Sequence, residues 1–352
     1  MRALIQRFQT PVLLIAGLAL IACLNLAGGD TVGVVLTEMF IRVVVVVGLY
    51  VFIGNSGILS FGHIGFMCIG AYAAAWATAP PPFKQIMLSG LPAFLQENQY
   101  PFLAAQAGAL LLPAAVALAV GIAIMRLSGT AASIATFAFL MVVNSLYSHW
   151  DSVTAGVSSI VGIPTEVGPW TAFLFAAAAV AAAFLFQISR YGLMLKASRD
   201  DEVAARASAV RIVRMRLVAF VLSAAIVGVG GGLYAQFLGI LTVDPFYLGL
   251  SFVTIAMLVV GGMSSLTGAV AGVVVVTAIV QLFLLFERGV AVGGTTVALP
   301  AGSEEIGLGV VMALILIFRP SGLTRGREWA PVRDRRASPA ALPLPGAPET
   351  AS

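Results

Sequence analysis

The chain has 352 residues, 60% of them hydrophobic and only 10% charged, with a formal net charge of +4. A soluble domain carries roughly 25% charged residues, so this composition excludes one, and several apolar runs exceed the ~18 residues that mark a membrane-spanning helix. The pI near 9.3 invites nucleic acid as a partner, but the basic residues sit between apolar runs in a membrane-flanking pattern, and no nucleic-acid partner is expected.

Arg2 and Arg7 precede the first apolar run, Pro11 to Ala27. This reads either as a cleaved signal peptide or as an uncleaved first helix. A second apolar segment follows at once and the topology needs an even number of spans, which favours the uncleaved helix. Reading apolar runs between punctuation gives ten spans, about 11–28, 31–54, 57–78, 102–125, 130–148, 170–189, 217–240, 247–262, 266–286 and 304–318. The expected fold class is therefore an all-α polytopic membrane protein with about ten transmembrane or re-entrant helices and a cytoplasmic coupling helix. With the N-terminus in the cytoplasm, sixteen of the nineteen basic residues fall in cytoplasmic segments, as the positive-inside rule requires. Arg42 lies within a span, and Lys84 and Arg288 lie outside. Both termini are then cytoplasmic, in a multi-pass protein of the bacterial cytoplasmic (inner) membrane.

Cys23 and Cys68 lie in apolar segments and read as small buried packing residues. Arg42 at mid-span would cost ~2.5–3.5 kcal/mol, and Glu38, four residues earlier on the same helix face, can neutralise it. A carboxylate-binding role for Arg42 stands beside the plainer reading of an ion pair near the interface or against a partner chain. The glycine-punctuated pieces around 54–65 and 261–273, "GNSGILSFG" and "GGMSSLTGA", are the places where a span is re-entrant or broken. Their loose likeness hints at an internal repeat. His63, one of two histidines, reads either as a packing residue bonded to a neighbouring carbonyl or as a substrate contact. Asn144, His149 and Asp151 mark the end of the fifth span. The outer loops, with Lys84, Glu97, Glu166, Asp244, Glu287, Arg288, Glu304 and Glu305, suit either an external partner or plain solvation.

One dense island of charge interrupts the apolar pattern. Nine charged residues lie between Lys196 and Arg216. Ser198 is the expected helix cap, with Asp200, Asp201 and Glu202 in the first turn, where they complement the helix dipole. Val203, Ala207 and Val210 recur at helical spacing, while Ala204, Ala205 and Ala209 keep the surface thin. Such a helix fits a groove in a partner protein; a solvated loop explains the arginines but not the acids and alanines. The domain limits are 1–330 for the membrane domain, with a coupling segment at about 196–216, and 331–352 for a Pro-, Ala- and Arg-rich disordered cytoplasmic tail, whose arginines can meet anionic lipid.

The stretch "RDDEVAARASAVRIVRMRLVAFVLSAAIVGVGGGLYA" resembles the coupling segment and following helix of permease subunits in ATP-binding-cassette importers of the branched-chain amino acid type. Arg199, Asp200, Glu202, Ala204, Ala205 and Val210 match the first part of that pattern, and Ala209 stands where the family has glycine. The signatures "GILSFGHIGFMCIGAYAAA" (57–75), "DSVTAGVSSIVGIP" (151–164), "VVGGMSSLTGAVAG" (259–272) and "IFRPSGL" (317–323) extend the resemblance, with Ala155, Ser159 and Ser264 replacing glycines. The resemblance implies ATPase coupling through the 198–211 helix, with Arg199, Asp200, Glu202, Ala204, Ala205, Ala209 and Val210. It also implies a translocation path along Ser56, Gly57, Ser60, Gly62 and His63, with Thr154 and Gly156. Its expected partners are two ATP-binding subunits, a second and different permease subunit, a periplasmic or extracellular solute-binding protein, and membrane lipid. The chain contains no G-x-x-x-x-G-K-[ST] motif, so no cofactor is expected on it, and ATP with Mg belongs to the partner ATPases. No catalytic or metal-binding residue is expected; the chain is read as a transporter subunit rather than an enzyme. Branched-chain amino acids come first as substrate, with urea, short amides or another small polar solute as the alternative. An ion-coupled secondary transporter would have Glu38 as its one good intramembrane carboxylate and would leave the island without a purpose. An intramembrane enzyme finds no H-E-x-x-H motif in support.

Overall fold

A segment that is apolar on every face can sit only in lipid or at the centre of a bundle, and in either place its backbone bonds must close internally. All ten expected runs accordingly form helices. The computed structural model describes residues 9–26, 29–127, 129–287, 290–292, 295–297, 300, 302–319 and 321–328. Arg2, Arg7, Arg288 and the 331–352 tail lie outside the described residues, as do the side chains of Glu304 and Glu305.

The long helices are α1 (Gln9–Cys23), α2 (Asp30–Ser56), α3 (His63–Thr78), α6 (Phe102–Ile124), α7 (Gly129–His149), α9 (Pro169–Ile188), α12 (Ile212–Leu238), α13 (Leu248–Gly261), α14 (Leu266–Glu287) and α15 (Ser303–Phe318). Among the described residues, seven helices are long and apolar enough to cross a membrane; α3, α13 and α15 are shorter. The protein is thus an all-α polytopic membrane protein. Short helices α4 (Pro81–Met87), α5 (Ala93–Gln96) and α8 (Asp151–Thr154) fill loops at one end of the bundle. The other end, the island end, holds α10 (Arg190–Asp200) and α11 (Glu202–Ala207). Four short strands escape the all-α expectation. At the far end β1 (Ile160–Val161) pairs antiparallel with β2 (Ile240–Leu241), and β3 (Val290–Val292) pairs with β4 (Thr295–Val297).

The core is built on α2 and α12. From Leu36 to Ser56, every residue of α2 is buried except Glu38 and Arg42. Helix α12 packs most extensively on α3, α6 and α2, and its glycines make that closeness feasible. A Cβ on Gly70 of α3 would run into the carbonyl of Gly228, and one on Gly231 into the carbonyl of Met67. Without a hydrophobic drive between helices in lipid, such small-residue contacts and interhelical hydrogen bonds hold a bundle together. Ser223 donates to the Gly48 carbonyl at 2.6 Å, and Gln106 of α6 donates to Gln236 of α12 at 2.8 Å.

Three expectations need correction. The third span begins at His63, not 57, because residues 57–62 leave the helix. Cys68 is buried as expected, but Cys23 faces outward from the bundle. Lys84 is no solvated loop residue: it is fully buried, with its ammonium donating to the carbonyls of Trp76 (3.1 Å) and Asn98 (2.6 Å).

The α3–α12 crossing makes a direct prediction. Gly70→Val or Gly231→Val places side-chain carbons inside the backbone of the facing helix, where no rotamer relieves them. Both variants should lose the monodisperse peak on size exclusion in mild detergent, whereas Gly108→Val, at a position with open space around it, should keep it.

Candidate functional site

Two helix breaks meet at the island end. Helix α2 stops where Gly57 turns left-handed (φ 73°), its N–H returning to the Ile53 carbonyl. Ser56 stitches this break, donating to Phe52 O at 2.7 Å and accepting from Ile58 N at 3.2 Å. Helix α13 stops at Gly262 (φ 119°), whose N–H returns to Leu258. These are the two segments whose sequences look alike, and both lie between consecutive helices at the same end. Between them is a cavity of about 200 Å³, lined by Gly54, Gly57, Leu59, Met263, Ser264 and Arg199. The Arg199 stem lies over Gly57, where a Cβ would stand 2.7 Å from it. Its Nη1 donates to the Gly54 carbonyl at 2.7 Å, and its other nitrogens hold Asp200 at 3.1 and 3.2 Å.

The second break is sealed from further along the chain. Ser265 accepts from Gly268 N at 2.9 Å, as a helix cap does. The Glu328 carboxylate accepts from Leu266 N (2.9 Å), Thr267 N (3.1 Å) and the Thr267 hydroxyl (2.9 Å). An anion is thereby set on the positive end of α14. Gln187 donates to the same carboxylate at 3.0 Å and accepts from the Tyr50 hydroxyl at 3.0 Å, which ties α9 and α2 to the seal. Thr324 donates to the Gly261 carbonyl through both its backbone N–H and its hydroxyl. Neither Glu328 nor Thr324 carried a signal in the sequence, since each acts across about sixty residues.

The island is two helices rather than one. Ser189 caps α10, and Ser198, the expected cap, is instead buried within it, donating to Leu195 O at 2.8 Å. Asp201 is the cap that starts α11: it takes an extended backbone (φ −151°) and accepts from Val203 N and Ala204 N, both at 2.9 Å. Of the three acids expected in the first turn, only Glu202 occupies it. Its carboxylate bridges Arg206 at 2.5 Å and the buried Arg216 of α12 at 3.0 Å. Burial opposes ionisation of Glu202, but the hydrogen bond from Arg206 and the charge of Arg216 outweigh it and hold its pKa below the ordinary carboxylate value. Of the coupling residues, Arg199, Glu202 and Ala205 turn inward, Val210 is half-buried, and Asp200, Ala204 and Ala209 are exposed. Val203, on the outer face of α11, is 79% exposed.

Ala209 is left-handed, at φ 61°, the geometry that the glycine of the resembling pattern would take freely. Ala155, the other alanine standing for a glycine, is also at φ 61°. An alanine there costs roughly 1 kcal/mol or more.

The residues of the expected path divide into two groups at opposite ends of α3. Ser60 sits 2.8 Å from His63 Nδ1, and the His63 ring packs among Phe52, Phe66 and Phe220. Gly62 lies against Thr136 of α7. Of Ser56, Gly57, Ser60, Gly62 and His63, Gly57 alone lines the cavity between the breaks. Thr154 donates to Tyr147 O (2.6 Å) and Trp150 O (2.8 Å) and accepts from Gly156 N at 3.3 Å. That turn is fastened to α3 at Trp76, whose indole donates to Val153 O at 2.8 Å. From His63 to Trp76 the helix rises about 20 Å, so the two groups form no common pocket. Between the ends, Glu38 and Arg42 pair at 2.5 Å beside a smaller cavity that also touches Met67, Tyr234, Leu250 and Thr254.

Two predictions follow from the island. Ala209→Gly should raise the thermal midpoint in detergent, by the relief of roughly 1 kcal/mol of backbone cost. The Glu202 bridge gives stability above the ordinary carboxylate pKa, and loses it as pH falls through the lowered folded value. Amide protection of residues 203–207 by hydrogen exchange, corrected for intrinsic rates, should hold at neutral and mildly acidic pH and fall once the pH drops below the ordinary carboxylate range. Glu202→Gln should lower protection at neutral pH and flatten that step.

A family profile described as branched-chain amino acid transport system / permease component matches residues 32–318. The high-affinity branched-chain amino acid transport system permease protein LivM of Salmonella typhimurium is 27% identical over 331 residues, covering 82% of this chain and 68% of that protein. The protein of the same name from Escherichia coli is 26% identical over 331 residues, with the same coverage. No solved structure matches this chain significantly.

Proposed function

Because the chain belongs to the branched-chain amino acid transport system permease family, we propose that it is the membrane permease of an ATP-driven importer whose substrates are branched-chain amino acids. Its place is the bacterial cytoplasmic membrane, with the island end in the cytoplasm. In support, all the described basic residues from Arg126 to Arg327 gather at that end, while Arg42 lies within a span and Lys84 at the opposite end, as the positive-inside rule favours. The reading gives the chain two ATP-binding subunits, a second permease subunit and an external solute-binding protein as partners. ATP and Mg belong to the ATP-binding subunits.

The observation that carries the reading is α11. It is a short, side-chain-capped, alanine-rich helix that projects a valine into solvent between two membrane helices. An exposed apolar residue among small ones suits a groove in a partner, with the surrounding charges at the rim. Force applied to α11 has a short route inward. Glu202 links it to Arg216 of α12, and α10, directly before it, carries Arg199 into the junction of the two breaks. Closure of the ATP-binding subunits would shift Arg199 against Gly54 and Gly57 and bias the bundle between two arrangements.

The test is purification from native membranes in mild detergent, with mass spectrometry of what travels with the chain. ATP-binding subunits should accompany the native protein. Val203→Asp should remove them while leaving the thermal midpoint unchanged, because Val203 makes little contact within its own chain. Glu202→Arg is the poorer probe, since it sets a cation beside the buried Arg216 and disturbs the island itself. Absence of ATP-binding subunits from the native preparation, even after cross-linking, would overturn the reading.

A further inference from the structure

Helix α2 is 27 residues long, about 40 Å at 1.5 Å per residue, and Arg42 stands about 18 Å from one end and 21 Å from the other. This is the middle of the span. From Leu36 to Ser56 the only residues of α2 that are not buried are Glu38 and Arg42, whose side chains keep 34% and 23% of their exposure. The single gap in the packing around the central helix is therefore where its two charges lie. Hydrocarbon cannot be what they face, since a charge at that depth costs ~2.5–3.5 kcal/mol even by insertion scales. The gap opens onto a cavity of about 60 Å³ between α2, α3, α12 and α13, room for water but not yet for a solute.

Resting on the importer reading above, we infer that this pair is a binding site for an amino-acid zwitterion on the translocation path. Arg42 takes the carboxylate and Glu38 the ammonium. Spaced i and i+4, the two charges share one helix face and meet groups that an α-amino acid carries on a single carbon. In the present state they satisfy each other at 2.5 Å. A zwitterion replaces one ion pair by two, so no charge is left alone at any stage. Ile41, Val45, Met67 and Leu250 supply an apolar wall for an aliphatic side chain, and the Thr254 hydroxyl, bonded to Leu250 O at 2.8 Å, keeps an acceptor at the rim. Because the cavity is small, occupancy requires the open side to widen, the kind of movement the junction at the island end would impose.

The experiment uses the complete transporter in proteoliposomes loaded with ATP, with radiolabelled leucine as probe. Glu38→Gln together with Arg42→Met removes both charges and orphans neither, a change that buried pairs commonly tolerate. This variant should assemble with an unchanged thermal midpoint, yet take up leucine at least about tenfold more slowly, the loss expected from charge-assisted hydrogen bonds to a ligand. Should it assemble poorly, the charge-reversed pair Glu38→Lys, Arg42→Glu keeps the ion pair. A merely structural pair predicts full uptake from it, whereas the ligand site predicts a clear fall, because the zwitterion must enter inverted. Uptake within twofold of wild type in either variant overturns the proposal. If the wild-type transporter itself accumulates none of leucine, isoleucine and valine, the importer reading fails first, and that failure shows before any variant is tested.

Discussion

Arg199 on the Gly54 carbonyl and Glu328 on the first amides of α14 answer one constraint: backbone released from a helix near a bilayer must find new partners. Both breaks expose such groups at the same end of the bundle, and the answering side chains come from distant parts of the sequence. Arg199 arrives from the charged island, Glu328 and Thr324 from the segment after α15, and Gln187 from the end of α9 itself. The charged island and the backbone of the first break are thus joined by a single hydrogen bond.

That junction matters because the remainder of the bundle is stiff. Helix α2 is enclosed on nearly all sides, and α12 lies against α3 with glycine backbone touching backbone. Packing of this density transmits displacement rather than absorbing it. Displacement at α11 therefore has little slack to take up before it reaches the breaks, while the one opening beside α2, at Glu38 and Arg42, lies where the packing is looser.

Much of this was legible beforehand, and the misses have identifiable causes. The ten helices announced themselves because an apolar run of that length belongs in lipid, where its backbone bonds must close within the segment. The left-handed turn at Ala209 was foreshadowed by the glycine of the resembling pattern. The cap of α11 was misplaced because Ser198 and Asp201 are both good capping residues, and the fold uses Asp201, whose backbone is extended, while Ser198 stays inside α10. Lys84 looked like a loop residue because sequence gives its charge but not the two carbonyls that fold around it. Ser56 spends its hydroxyl on the helix break and Ser60 meets His63 Nδ1, whereas His63 Nε2 is buried without a partner, details of hydrogen bonding that composition does not carry. Glu328 was invisible because a carboxylate acting on amides some sixty residues away leaves no local pattern.

Glu328 also moves the practical boundary of the folded unit. The family match stops at residue 318, at the end of α15, and a designer trimming the protein or fusing a reporter would naturally cut near there. Such a cut would remove the carboxylate that accepts from Leu266 and Thr267 and the threonine bonded to Gly261, unsealing a helix break more than fifty residues upstream. A version that keeps these bonds must run at least through residue 328.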